Sequence, residues 1–196
     1  MINFHVIGDS HARSFTWGGI KIEGLNIISH WIIDKTCAGF SIERPCITDL
    51  GIKEDDWVCF CFGEIDCRTN IGKYKENYKE IIDKIIENYF YTINQYEVGK
   101  KFVFNVVPAN IQATAINPPN FPSAGTDEER RGYVRYFNEC LRNNCLKNGI
   151  VFIDVHDKYA NEDGFFNLRY RDNCGHIANP IFIQEFLNES INEIHI

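Results

Sequence analysis

Five short apolar runs recur along the chain: Ile2–Ile7, Leu25–Ile33, Trp57–Phe62, Lys101–Val107 and Ile150–Val155. The third, Trp57-Val58-Cys59-Phe60-Cys61-Phe62, is apolar at every position, as a strand buried on both faces requires. Glu54-Asp55-Asp56 leads into it and Gly63 stops it. Between the runs the period changes. Within Tyr74–Tyr96, the residues Tyr78, Ile81, Ile82, Ile85, Ile86 and Tyr89 recur at three- and four-residue spacing, which predicts a long amphipathic helix. Thr126 followed by Asp127, Glu128 and Glu129 reads as an N-cap with an acidic first turn, opening a helix to about Lys147 that Asn148-Gly149 ends. Asn179-Pro180 supplies the cap and first position of a last helix, and Ala12–Trp17 a short one stopped by Gly18-Gly19. Strands joined by crossover helices pack as a mostly parallel sheet with helices on both faces. The expectation is an α/β chain, one domain over residues 1–196, with no internal repeat and no linker.

Composition narrows the function classes. Hydrophobic residues at 44% and charged residues at 24% suit an ordinary globular core. A net charge of −7, with Lys and Arg scattered, excludes the basic stripe of a nucleic-acid surface. No run is long and apolar enough to span a bilayer, and the N-terminus shows no basic region followed by a cleavage site. The expectation is therefore a cytoplasmic protein without a membrane partner. The eight cysteines include no Cys-x-x-Cys pair and are expected to be free thiols, with Cys59 and Cys61 on one face of their strand. No glycine-rich phosphate loop follows the first strand, and no histidine–carboxylate spacing suggests a metal, so no cofactor is expected.

In a parallel sheet the site lies beyond the C-terminal strand ends. Those ends carry Asp9, Ser10 and His11; Gly39; Glu64, Asp66 and Arg68; Asn105; Asp154 and His156; and, before the last helix, Asp172-Asn173-Cys174-Gly175-His176. A serine, a histidine, carboxylates and a glycine converging on one edge are the parts of nucleophilic acyl transfer. Each has a plainer reading. Ser10 is also a helix-capping residue, His176 a solvated loop histidine, and Glu64, Asp66 and Arg68 a structural ion pair. Ala109–Gly125, rich in Pro and Asn, is long enough for a lid or binding loop.

Gly8-Asp9-Ser10, then Gly63-x-x-Asp66, then an Asp/His block before the final helix resemble the SGNH (GDSL-type) hydrolases, in order and spacing over nearly the whole chain. The resemblance implies a three-layer α/β/α sandwich of flavodoxin-like type. It also implies a serine that attacks an ester or amide carbonyl, a histidine base, an aspartate that orients it, and an oxyanion hole from serine N–H, glycine N–H and an asparagine. Those roles fall on Ser10, His176, Asp172 and Gly39. Two departures mark the chain as divergent. In Gly63-Glu64-Ile65-Asp66-Cys67-Arg68, Ile65 stands at the asparagine position and cannot donate, leaving Asn105 and Arg68 as substitutes. Asp172 lies four residues before His176 where the resemblance implies three, so either the loop holds an extra residue or Asn173 orients the imidazole. The sequence reading is a serine esterase or deacetylase acting on a small-molecule or glycan ester. Glu64, Asp66 and Arg68 are expected at the substrate. The alternative is a non-catalytic module binding a sugar or another polar ligand. Oligomeric state is left open.

Overall fold

The structure, a computed structural model, describes residues 1–116 and 121–194. Among the described residues five strands form one sheet: β1 (Ile2–Gly8), β2 (Leu25–Trp31), β3 (Trp57–Cys61), β4 (Lys100–Phe104) and β5 (Val151–Ile153). All pair in parallel, in the order β2-β1-β3-β4-β5. Alternation along each strand sorts side chains to two cores. Val58, Phe60 and Phe62 face one, with Ile7 and Val103; Trp57, Cys59 and Cys61 face the other, with Phe4, Val6, Phe104 and Ile153. Cys59 and Cys61 thus share a face, as the alternation required.

Helices cover both faces. α1 (Ser14–Trp17) follows β1 after a 3-10 turn at Ser10–Arg13; α2 (Cys37–Glu43) follows β2; α3 (Tyr78–Asn94) follows β3; α4 (Asp127–Asn148) follows β4; α5 (His156–Tyr159) and α6 (Ile181–Ile194) follow β5. Phe40 of α2, Ile82, Ile86 and Tyr89 of α3, and Tyr133, Phe137 and Leu141 of α4 fill the first core. Phe15, Tyr159, Ile183 and Leu187 fill the second. The result is the expected α/β/α sandwich.

Boundaries differ where local physics overrides periodicity. The helix expected from Tyr74 begins at Tyr78, because Tyr74 (φ −120°, ψ 47°) breaks the chain and Asp66–Asn70 winds as a wide turn before it. α2 escaped the sequence reading because seven residues give too few turns to show a period. Thr126 caps α4, as its sequence implied, and the structure adds a reciprocal box with Glu129. Of the long Ala109–Gly125 loop, 117–120 lie outside the described residues. Its described parts brace other loops: the Ile116 N–H donates to the Asn173 carbonyl at 2.9 Å, and the Ala124 N–H to the Arg68 carbonyl at 2.8 Å.

In this strand order the connections leaving β1 and those entering β3 and beyond run to opposite sides, so a crevice opens between the C-terminal ends of β1 and β3. Ser10 stands there.

Candidate active site

β1 can end beside β3 only because residue 8 is glycine. A Cβ at Gly8 would lie 2.2 Å from the Cys61 carbonyl oxygen. The glycine therefore serves close approach of two strands rather than a turn. The Asp9 N–H then donates to the same carbonyl at 3.1 Å, and the Asp9 carboxylate caps the 3-10 turn by accepting from the His11 N–H at 2.9 Å. Ser10 becomes the first residue of that turn, where a backbone N–H has no intrahelical acceptor.

The partner loop is a tight hairpin. Arg171 and Ile177 form an antiparallel bridge, and the Asp172 N–H donates to the His176 carbonyl at 2.9 Å. Gly175 turns the chain at φ +84°, a conformation that admits the fifth residue of the loop without strain. One carboxylate oxygen of Asp172 accepts the N–H groups of Cys174 (2.8 Å) and His176 (2.9 Å); the other faces His176 Nδ1 at 3.1 Å. His176 Nε2 lies 2.9 Å from Ser10 Oγ. With its proton on Nδ1, held by Asp172, the imidazole presents a lone pair to the serine hydroxyl. Arg171 ties this loop to the long one, donating to the carbonyl of Thr114 at 2.6 Å and its hydroxyl at 2.8 Å.

The electrostatics suit a base. Burial, and after it the neighbouring His11, hold His176 below the ordinary histidine pKa, against the pull of Asp172. Burial opposes ionisation of Asp172, yet the N–H and ring of His176 and the N–H of Cys174 bring its carboxyl below the usual range. His11 packs against His176 with ring centroids 5.2 Å apart. Its Nδ1 meets Asp9 at 3.2 Å and its Nε2 the Gly175 carbonyl at 3.3 Å. Burial works to lower the His11 pKa, but the hydrogen bond and charge of Asp9, with help from Glu64, raise it overall. Two adjacent imidazoles are thus pushed apart in basicity, the proton favouring His11 and leaving His176 neutral.

No family model matches the sequence, and no curated protein matches it. Solved structures do match. A GDSL-like lipase from Bacteroides thetaiotaomicron superposes at TM-score 0.57 and 15% identity, covering 98% of this chain and 88% of its own. A member of the lipolytic G-D-S-L family from Veillonella parvula gives 0.57 and 15%, covering 99% and 98%. A catalytic mutant of an acetylxylan esterase from Geobacillus stearothermophilus gives 0.63 and 13%, covering 97% and 94%. The chain has the SGNH hydrolase fold.

On that fold the remaining sequence candidates separate into near and far. The oxyanion role expected of Gly39 is corrected: its N–H donates to Thr36 Oγ1 at 2.8 Å and is committed to capping α2. Asn105, expected as a substitute donor, is also a correction. It is buried and bridges strand ends, accepting from the Val155 N–H at 2.7 Å and donating to the Val106 carbonyl at 2.9 Å. Asn173 is exposed, and its backbone carbonyl is what the long loop holds, so Asp172 takes the place beside the ring. Asp66 is fully buried and accepts the Cys37 and Ala38 N–H groups at 2.6 and 3.3 Å, an anchor for α2 rather than a substrate contact. Burial pushes its carboxyl up to about 6, against those two bonds. Arg68 pairs with Glu64 one turn away, Nε to Oε1 at 2.7 Å and Nη2 to Oε2 at 3.2 Å, and also donates to the Phe121 carbonyl. Burial would raise the Glu64 pKa, but Arg68 and then His11 hold it low. This ionised pair lies close enough to feel both histidines. Ile65 is buried. The sequence signal for Glu64 over Asp66 was its spacing: four residues before Arg68 on a helical turn puts the two side chains together.

Proposed function

We propose that this protein is a serine hydrolase, an esterase or deacetylase that removes a small acyl group from a polar ester such as an acylated carbohydrate. One observation carries the reading: the unbroken chain from Asp172 through His176 to Ser10 Oγ, with contacts of 3.1 and 2.9 Å, at the strand-end crevice. Ser10 Oγ attacks the acyl carbonyl while His176 Nε2 takes its proton, and Asp172 steadies the imidazolium. The Ser10 N–H faces the developing oxyanion. His176 then returns the proton to the leaving alcohol. Water, deprotonated by the same imidazole, opens the acyl-enzyme and frees the acid and Ser10.

The structural neighbours support a hydrolase fold, and among them the acetylxylan esterase is a glycan-ester enzyme. A specific observation favours the second reading, a non-catalytic ligand-binding module. Ile65 offers no donor, and the first three N–H groups of α2 are all taken, by Asp66 and Thr36. Loss of one oxyanion donor costs on the order of a hundredfold or more in rate. The test is acetate release from a panel of O-acetylated sugars and aryl acetates, with Ser10→Ala as control. Slow release that Ser10→Ala abolishes supports the hydrolase. Release equal in both proteins, or none above the uncatalysed rate, supports the binding module.

A further inference from the structure

Two of the three tryptophans are exposed near the C-terminal ends of β1 and β2, the edge that carries Ser10. Trp17 ends α1 with 58% of its surface open, and Trp31 ends β2 with 42% open; Trp57 is buried in the core. The guanidinium of Arg13 lies between them, 3.1 Å from the ring centroid of Trp17 and 4.2 Å from that of Trp31. Their position follows from local structure. Ser10 and Arg13 are the first and fourth residues of one 3-10 turn, where side chains three apart fall on the same side. Trp31 pairs in register with Gly8, two residues before the serine.

The arrangement lacks a folding rationale in two respects. Indoles left this open forgo burial that a core would use. The guanidinium, held over both rings, has no carboxylate or carbonyl acceptor among the described residues. Stacking on aromatic faces occupies the plane of the group and leaves its N–H edge free for a planar anion. A carboxylate matches that edge with two parallel hydrogen bonds. The C–H-lined face of a pyranose ring matches an indole. A ligand with both features is an acidic sugar.

We propose that Trp17, Arg13 and Trp31 form a subsite for the acidic sugar of a carbohydrate ester, its carboxylate on the Arg13 fork and its ring on an indole. The assignment rests on the esterase reading of Ser10 and names its substrate class. It makes the acyl group leave from a uronic- or sialic-type residue rather than from a neutral one.

The experiment uses the Ser10→Ala protein, so binding is read without turnover. Tryptophan fluorescence reports the subsite, because two of three indoles are in it. Titrate galacturonic acid trimer against galactotriose, and 3′-sialyllactose against lactose. The expected result is a saturable change with at least one acidic ligand, at a Kd tenfold or more below that of its neutral counterpart and weakened by 0.5 M NaCl. Arg13→Gln should erase the preference. Trp31→Phe, which keeps a ring but less stacking area, should weaken binding several-fold, and it serves if Arg13→Gln does not fold. No saturable response to either acidic ligand, equal affinity for the neutral one, or a preference that survives Arg13→Gln would overturn the subsite. Acidic-sugar binding with no hydrolase chemistry at Ser10 would sink the esterase reading alone, and the reverse pattern the subsite alone.

Discussion

Asp172→Asn separates orientation of the base from folding of its loop. In the native loop, one oxygen of Asp172 holds the N–H groups of Cys174 and His176, and the other faces His176 Nδ1. An asparagine keeps the first oxygen where two backbone donors demand an acceptor. Its NH2 must then replace the oxygen at Nδ1. A donor there turns Nδ1 into an acceptor and moves the ring proton to Nε2, where it points at Ser10 and the base is lost. Wrong-tautomer variants of such triads lose about 10³–10⁴ in rate, or roughly 4–5.5 kcal/mol of barrier. Stability should change little. The Asp172 side chain is 38% exposed, and a pair that open contributes about 1 kcal/mol or less, worth a few degrees of Tm in a chain this size. The assay is the second-order rate of labelling by a fluorophosphonate, which needs the same base and no known substrate, followed from pH 5 to 9. The wild-type rate should fall on the acid side below the ordinary histidine value, since His176 is held low by burial and by His11. Asp172 pulls that pKa upward, so any residual labelling in the variant should show its acid limb moved to lower pH. Asn173→Ala should stay within about twofold of wild type. A loss under tenfold in Asp172→Asn, or an equal loss in Asn173→Ala, would refute this reasoning.

Ile65→Asn should raise the labelling rate or kcat by about tenfold or more if the oxyanion lacks a side-chain donor, at about 1–3 kcal/mol of stability for burying an amide; urea unfolding reads the second quantity. Asp66 holds its proton up to about 6 when folded, against 3.8 unfolded, so its contribution to stability is present at low pH and is lost as pH rises through about 6. Asp66→Asn should remove a slope on the order of 3 kcal/mol between pH 4 and 7, read as the difference in urea-unfolding free energy from wild type. All eight cysteines are unpaired. Under native conditions Cys46 and Cys174, both exposed, should react quickly with a thiol reagent, while Cys37, Cys59, Cys61 and Cys67, buried with their thiols pushed up by that burial, should not. Unfolding without reductant should expose eight thiols, and fewer would contradict the free-thiol state.

The sandwich was legible because its signals are periodic. Trp57–Phe62 is apolar throughout and buried throughout, and Ile82, Ile86 and Tyr89 mark the inner face of α3 at helical spacing. The meeting of Ser10 and His176 was legible because a strand end and a capped helix fix where each must lie. The surrounding assignments depended on which donor meets which acceptor, and spacing does not encode that. Gly39 and Asn105 carry donor groups of the right kind, yet Thr36 and the ends of β4 and β5 claim them. Asp66 reads like a site carboxylate but is consumed by the N-terminus of a helix too short to show in sequence. The place of His11 beside His176 follows from its bonds to Asp9 two residues back, which spacing does not encode.

Ser10 is expected to be an activated nucleophile. Incubate folded protein with a fluorophosphonate at pH 8, measure the intact mass, and map the adduct by peptide mass spectrometry. The expected result is one adduct per chain, on Ser10, absent in His176→Ala and in heat-unfolded protein. No adduct on the folded chain, or labelling elsewhere with Ser10 bare, would contradict it and leave a ligand-binding module on a hydrolase fold.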